Sequence, residues 1–179
     1  MKKLIVALMA MAVVASADGF VVGTELNYGK VDSELTASGA VTGSASDDTK
    51  TLGVAVKVGY QFGDVRVLGV ITSEKYKDDL ITYNDGNAVS YGAEVDYVVN
   101  NAFIGATVAT GEKDFDGTDI DFTDVGVRVG AGAELGEDST IEAGLYYKKR
   151  NYDSYTESGI TLDLEDDIVG LFVGVSFNL

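Results

Sequence analysis

Hydrophobic and polar residues alternate with a period of two along most of the chain from residue 20 onward. In the clearest segment, Val54, Val56 and Val58 alternate with alanine, lysine and glycine. A period of two is typical of a β-strand with two different faces, whereas an amphipathic helix repeats every 3.6 residues. The pattern predicts eight strands, of which the fifth is apolar or small on both faces and therefore has no assignable phase. They are Phe20–Lys30, Leu52–Phe62, Val65–Glu74, Val89–Tyr97, Ala102–Thr110, Thr123–Leu135, Ile141–Lys148 and Val169–Leu179.

Short and long connections alternate between these strands. Three joints are tight and rich in turn-forming residues, at Gly63-Asp64, Asn100-Asn101 and Gly136-Glu137-Asp138. The other four connections, over 31–50, 75–87, 111–121 and 151–167, are long and acidic. Short and long links then lie at opposite ends of the strands, and we expect the short turns on the periplasmic side and the long acidic loops on the extracellular side. This arrangement predicts an all-β, eight-stranded, antiparallel up-and-down barrel whose strands are long enough to cross a bilayer.

The polar face of the strands is rich in glycine. A soluble barrel of the lipocalin kind, exported and binding an apolar ligand, is the alternative, and its solvent-facing positions would carry lysine, glutamate and threonine. Glycine weakens a strand that faces water but fits a narrow, crowded interior. The apolar face is therefore predicted to contact lipid. The glycines of the polar phase are Gly23, Gly53, Gly59, Gly92, Gly126, Gly130, Gly132, Gly144, Gly170 and Gly174.

Aromatic residues of the apolar face fall at two depths. One group lies near the short-turn ends of the strands and the other near the long-loop ends, as expected for girdles at the two membrane interfaces. The alternative is a set of ordinary core aromatics in a soluble sandwich. The lower group is Phe20, Tyr60, Phe62, Tyr97 and Phe177, and the upper group is Tyr28, Tyr91 and Tyr147.

The first 17 residues have the pattern of a secretory signal peptide. Lys2 and Lys3 precede an apolar run from Leu4 to Val14, and Ala15-Ser16-Ala17 has the small residues of a cleavage site. An uncleaved anchor would need about 20 apolar residues. We therefore predict a signal peptide over 1–17 and a single barrel domain over 18–179.

Composition narrows the function classes. The 179-residue chain carries 13 basic and 29 acidic residues, a net charge of -16, which would repel a nucleic-acid backbone. It contains no His and no Cys. The absence of both residue types excludes zinc sites, thiol nucleophiles and mechanisms that use an imidazole base. We therefore predict no nucleic-acid partner, no cofactor and no enzymatic activity.

Charged residues of the polar phase are predicted to meet inside the barrel. Glu25, Lys57, Glu94 and Arg128 fall at middle depth, and opposite charges in a confined interior are expected to pair. The network either fills the lumen, which in an eight-stranded barrel is only wide enough for side chains, or forms a switchable gate for small ions. Further members of the same phase would extend it, namely Arg66, Asp96, Glu134 and Glu142.

One acidic connection has some features of a calcium loop. Asp114, Asp116, Asp119 and Asp121 surround Gly117, and alternating carboxylates with a central glycine are used to bind hard cations. With Gly117 as the sixth position of a calcium loop, the twelfth position is Thr123, whereas such a loop requires a bidentate glutamate there. The interpretation as a solvated acidic loop is therefore preferred over a weak divalent-ion site.

The last strand resembles a known assembly signal. Leu171, Val173, Val175, Phe177 and Leu179 are hydrophobic at alternate positions up to the final residue. With the barrel pattern, they make the chain similar to the small eight-stranded outer-membrane barrels of Gram-negative bacteria, such as the OmpA transmembrane domain, OmpX and the opacity-type proteins. Those barrels usually end in phenylalanine.

This resemblance implies a location and a role. The chain would be a monomer in the outer membrane, in contact with lipid and lipopolysaccharide and assembled by the barrel-insertion machinery through its last strand. It would act in outer-membrane structure and surface interaction, as in adhesion or envelope integrity. A porin-like channel for small solutes or ions is the alternative.

Overall fold

The computed structural model describes residues 19–40, 42–77, 86–115 and 118–179. The predicted signal peptide lies outside these ranges and stays a prediction. The described residues form strands joined by turns. The strands are β1 Gly19–Gly39, β2 Gly43–Phe62, β3 Val65–Lys77, β4 Asn87–Val99, β5 Ala102–Phe115, β6 Thr118–Glu134, β7 Ser139–Tyr152, β8 Tyr155–Glu157 and β9 Ile160–Asn178.

Eight of the strands close into a ring. Each of β1 to β6 pairs antiparallel with the next strand, β7 pairs with β9, and β9 returns to β1. The short strand β8 pairs only with the outer end of β9. Closure leaves no free sheet edge within the ring. The predicted eight-stranded up-and-down barrel is confirmed, with β8 as an addition.

No helix among the described residues is long and apolar enough to cross a membrane.

The barrel is apolar outside and polar inside. Along β2, Val54, Val56 and Val58 are about half exposed, whereas the side chains of Ala55 and Lys57 between them are buried. The same division continues around the ring, so the apolar phase faces outward as predicted. The alternative of a soluble barrel with an apolar interior is therefore wrong. The structure also gives β5 its phase, because Phe103 and Gly105 point into the lumen and Ile104 points out.

Three strands extend far beyond the apolar band. Residues 31–50 were predicted as a long loop, but Val31 to Ala37 of β1 pair with Gly43 to Thr49 of β2. β9 pairs with β1 as far as Ile160, opposite Gly39. We call this projection of β1, β2 and β9 the extracellular extension, and the barrel end that carries it the extracellular end, because the long connections are predicted on that side of the membrane. The loop prediction was wrong here because the sequence analysis recognised strands by their apolar outer face. These residues lack such a face, although their backbones continue to pair.

Two lumenal glycines make room for large rings. A Cβ atom at Gly170 would lie 2.6 Å from the ring of Tyr146, and one at Gly144 would lie 2.6 Å from Cζ of Phe172. Both distances are shorter than van der Waals contact allows. Glycine at these positions therefore lets the side chains of β7 and β9 fill a narrow interior.

Candidate functional site

Four of the predicted lumenal residues form a closed ring of ion pairs. Nζ of Lys57 lies 2.6 Å from Oε2 of Glu25 and 3.0 Å from Oε2 of Glu94. Nη1 of Arg128 lies 2.6 Å from Oε2 of Glu94, and its Nη2 lies 3.0 Å from Oε2 of Glu25. Each base therefore bridges both acids. All four side chains are less than a tenth exposed, so little solvent screens the charges.

A second set of ion pairs extends this ring toward the short turns. Arg66 donates from Nε and Nη2 to Oδ2 of Asp96, and its Nη1 lies 2.5 Å from Oε1 of Glu142. Nε of Arg128 lies 3.9 Å from Oδ1 of Asp96 and links the two sets. We call these seven residues the lower cluster. It comprises Glu25, Lys57, Arg66, Glu94, Asp96, Arg128 and Glu142.

The structure leaves Glu134 outside the lower cluster. Its position on β6 has the lumenal phase, but it is the last residue of the strand and its side chain is exposed. Within the described ranges it has no ion pair with the cluster. Phase alone predicted Glu134 as a member, but its depth places it at the rim of the barrel, where water solvates the carboxylate.

Aromatic rings pack against the lower cluster. The guanidinium of Arg128 lies 4.1 Å from the ring centroid of Phe172 and 5.0 Å from that of Phe103. The Arg66 guanidinium lies 5.2 Å from the same Phe103 ring. A cation over a ring face gains electrostatic energy that increases as water is excluded. The rings therefore fill the space beside the charges and also stabilise the two guanidinium groups.

A second ionic cluster lies closer to the extracellular end and was not predicted as a unit. Arg150 donates from Nε to Asp124 and from Nη2 to both Asp124 and Glu74, each at 2.7 Å. Nζ of Lys148 lies 2.5 Å from Oε1 of Glu74 and 3.4 Å from Oδ2 of Asp124. Arg150 also donates to the hydroxyl of Tyr76. We call Glu74, Asp124, Lys148 and Arg150 the upper cluster.

An aromatic and aliphatic layer covers the upper cluster on its extracellular side. The Arg150 guanidinium lies 3.7 Å from the centroid of the Phe122 ring, which packs edge-on against Tyr152 at 5.8 Å. Each member is buried, and together they form one apolar cluster. We call this layer the aromatic cap. Its members are Val31, Tyr76, Ala88, Phe122, Tyr152 and Ile168.

Lys113 packs against the aromatic cap and lies beyond the membrane-spanning part of the barrel. Its outward neighbours Glu112 and Asp114 are charged, so this part of β5 is beyond the apolar band. Its Nζ lies 3.7 Å from the centroid of the Tyr76 ring and 3.8 Å from Oδ2 of Asp166. The pKa of Lys113 is lowered to about 8, chiefly by burial and also by Arg150, although Asp166 and Glu74 oppose the shift.

This pKa predicts a pH dependence of stability. Between pH 8 and 10.5 the unfolded chain keeps its proton on Lys113 while the folded chain has lost it, so the free energy of unfolding rises with pH. We expect a contribution on the order of 1 kcal/mol per pH unit across this window. Urea midpoints at pH 7.5 and 10 test it, with Lys113→Met as the comparison. An equal change in the midpoint for both proteins would contradict the prediction.

The predicted interface aromatics all take outward positions. Near the short turns, the rings of Phe20 and Tyr60 meet edge-on at 5.1 Å, and Phe62 lies 6.5 Å from Tyr60. Tyr147 donates from its hydroxyl to Asp167 at 2.6 Å near the extracellular end. The others on the outer face are Tyr28, Tyr91, Tyr97 and Phe177. Their role as membrane girdles remains a prediction.

The last strand presents its predicted residues outward. Leu171, Val173 and Phe177 are about half exposed on the outer wall, with Val175 between them, and Leu179 is exposed at the end. The amide of Leu179 donates to the carbonyl of Phe20 at 2.8 Å, so pairing of the first and last strands continues to the end of the chain. The residues of the predicted assembly signal therefore lie along the outer face of the last strand. Their recognition by the barrel-insertion machinery remains a prediction.

The acidic connection between β5 and β6 forms a hairpin. Asp114 pairs with Asp119 across the two strands, Asp121 pairs with Glu112, and the three aspartates are exposed. Asp116 lies outside the described residues. Within the described ranges, no group of three or more acidic side chains is arranged to hold a metal ion.

The closed ring, its apolar outer wall and its ion-paired interior define an integral membrane β-barrel. The family model for the outer membrane protein β-barrel domain matches residues 4–177, and the chain belongs to this family. Its location is the outer membrane. No curated protein sequence matches the chain.

Solved structures of small outer-membrane barrels have the same fold. Neisserial surface protein A superposes with a TM-score of 0.56 at 18% identity, over 92% of this chain and 99% of that one. OprG of Pseudomonas aeruginosa gives 0.52 at 13% identity, over 91% and 97%. AlkL, determined in lipid bilayers, gives 0.52 at 14% identity, over 92% and 93%. At these identities the likeness shows the fold alone.

Proposed function

We propose that the protein is a closed outer-membrane barrel that acts in envelope structure and surface interaction, such as adhesion or envelope integrity. The observation that carries the proposal is the filling of the lumen by the lower cluster, the upper cluster and the aromatic cap in succession. A porin instead keeps a water-filled channel. The buried charges are paired, as expected where an unpaired charge would be costly. They support a structural role in preference to an enzymatic one.

The extracellular extension supports the surface role. β1, β2 and β9 carry acidic residues on the outer face of the extension, including Asp32, Glu34, Asp48 and Glu165. Such a surface favours a positively charged partner or one reached through divalent cations. We further propose that the barrel is a monomer in contact with lipid and lipopolysaccharide. The barrel-insertion machinery would recognise Leu171, Val173, Val175, Phe177 and Leu179.

Conductance separates this proposal from the channel alternative. Purified protein in a planar bilayer is expected to give little or no steady current, because each level of the lumen is occupied by side chains. The quadruple variant Glu94→Ala/Arg128→Ala/Asp124→Ala/Arg150→Ala is the comparison, since it removes side chains from both clusters and should pass more current than the unmutated protein. A large, stable current from the unmutated protein would defeat the closed barrel and favour a small-solute or ion channel.

The surface role is tested by shortening the extension. Replacing residues 33–47 with an Asn-Gly turn removes the outer part of the β1–β2 hairpin and leaves the membrane-spanning pairs intact. Cells carrying the shortened protein are expected to attach less well to a polylysine-coated surface than cells carrying the full chain at equal amounts. Unchanged attachment would contradict a role for the extension in surface interaction.

A further inference from the structure

Basic side chains that face outward are concentrated at one end of the barrel. Among the described side chains they are Lys30, Lys50, Lys75 and Lys149, and each lies just beyond the apolar wall at the extracellular end. The other described bases point into the barrel, namely Lys57, Arg66, Lys113, Arg128, Lys148 and Arg150. Across the described ranges, the outer wall at the short-turn end carries aromatic rings and no base. Outward positive charge is therefore offered to one leaflet of the membrane.

Two of these lysines lie directly opposite each other in the sheet. Lys30 of β1 is in register with Lys50 of β2, and Lys50 is in register with Lys77 of β3. The three positions form one row across adjacent strands. Like charges directly opposite each other destabilise a sheet. An anion held between the lysines removes that repulsion, so the row indicates an anionic ligand.

Two aspartates offset part of this charge from the side away from the membrane. Nζ of Lys30 lies 2.6 Å from Oδ1 of Asp32 and 3.1 Å from Oδ2 of Asp48. Asp32 and Asp48 are in register with each other, two residues farther from the apolar wall. An ammonium group has three N–H donors. The Lys30 side chain is 58% exposed, so it can also donate to an anion on its membrane side.

An open apolar groove on the outer wall leads to these lysines. Its volume is about 620 Å³, within the range of about 300 to 1,000 Å³ that is typical of ligand pockets. Tyr28 and Leu52 face each other at its extracellular end, and Lys30 and Lys50 lie two residues beyond them on the same strands. The groove therefore joins an apolar surface to two neighbouring bases. Its large outward side chains are Leu26, Tyr28, Leu52, Leu145, Leu171 and Val173.

We propose that the groove and the Lys30–Lys50 pair form a binding site for a phosphorylated glycolipid of the outer leaflet, with an acyl chain in the groove and a phosphate between the two ammonium groups. This inference rests on the proposed contact with lipopolysaccharide and gives that contact one place on the barrel. Hydrocarbon chains contact the whole outer wall, whereas the phosphate contact selects this sector. The same sector carries the extracellular extension, so the bound lipid fixes the height of the extension above the membrane.

The phosphate contact is tested by native mass spectrometry of the full barrel in detergent. The probes are lipid A with two phosphates, the same lipid A after removal of both phosphates, and inorganic phosphate. We expect one tightly held lipid A per barrel. A lysine near an anionic lipid is worth about a fivefold change in affinity, so the dephosphorylated lipid should bind about 25-fold more weakly. Equal binding of the two lipids would overturn the phosphate contact. Displacement of lipid A by an equal concentration of inorganic phosphate would overturn the assignment to a lipid.

Paired substitutions test whether the two lysines form a site. Lys30→Gln/Lys50→Gln is expected to weaken lipid A binding about 25-fold. Lys75→Gln/Lys149→Gln is the matched control, because it removes the same charge from the same end of the outer wall but from β3 and β7. The control should lose no more than about fivefold. Equal losses in the two double variants would show diffuse attraction to the surface and would overturn the site.

Filling the groove tests the acyl contact. Ala143 is a small outward-facing residue in the groove wall, and Ala143→Phe places a ring where the acyl chain is proposed. Each methylene group displaced is expected to weaken binding about fourfold. Ala106→Phe is the matched control, because Ala106 also faces outward but lies on β5, away from the groove. Unchanged binding by Ala143→Phe, or an equal loss with Ala106→Phe, would overturn the acyl contact.

Failure of this inference is distinguishable from failure of the closed barrel. Heat-modifiable migration on gels checks that each variant is folded. If the folded protein is silent in a planar bilayer but binds both lipids equally, the lipid site falls and the closed barrel stands. If the protein conducts but still holds lipid A through Lys30 and Lys50, the closed barrel falls and the lipid site stands.

Discussion

Val127→Arg is expected to destabilise the barrel by about 2 to 4 kcal/mol, since it places a charge on the lipid-facing wall near the middle of the bilayer. Val127 is more than half exposed on the outer face, and its neighbours on β6, Val125 and Val129, are exposed in the same way. The arginine could not turn inward, because the lumen on the other side of the strand is filled. The urea midpoint of the folded band on cold gels measures the loss.

Leu135→Arg is the matched control for depth. Leu135 is also exposed, but it follows the last residue of β6, in the turn at the periplasmic end. An arginine there can reach water and headgroups, so the cost is expected to fall to about 0 to 1 kcal/mol. An equal loss of stability at the two positions would contradict the placement of the apolar outer face in the hydrocarbon core of the membrane.

The barrel was predictable because a lipid-facing wall imposes a strict period of two. Where β1 and β2 leave the membrane, the outer face becomes polar, as at Asp32, Glu34 and Asp48, and the apolar outer positions of the alternation disappear although pairing continues. Residues 31–50 were therefore predicted as a loop. The phase of β5 was left open for the opposite reason, since Ala106 outside and Ala109 inside are equally small. Only the positions of its neighbours in the ring decide between the faces.

The lower cluster was predictable from phase and depth, but the upper cluster was not recognised. Lys148 was the last residue of the predicted seventh strand, and Arg150 lies two residues further on in the same phase. The signal was present in the sequence, but the predicted strand ended too early to include Arg150. Which acid meets which base could not be predicted. Barrel strands are staggered around the ring, so equal residue counts from the turns do not give equal heights.

Arg128→Met is expected to cost about 3 to 5 kcal/mol, the usual loss when one partner of a buried ion pair is removed. Methionine keeps much of the volume beside Phe172, so the effect reports mainly on charge. Glu25 and Glu94 would then share Lys57 as their remaining close base. Lys149→Met is the control, because Lys149 pairs with Glu165 at 2.6 Å on the exposed surface. Exposed pairs contribute at most about 1 kcal/mol.

Adding Glu94→Gln to Arg128→Met is expected to restore part of the lost stability. The double variant removes one acid and one base, and the pair of Lys57 with Glu25 at 2.6 Å stays balanced. If the two residues act as a unit, the costs of the single variants will not add, and the coupling free energy should reach about 1 to 3 kcal/mol. The four proteins of this cycle are compared by urea titration of the folded band. Additive losses would show that Arg128 stabilises the barrel through its contacts with Phe103 and Phe172 instead of through its charge on Glu94.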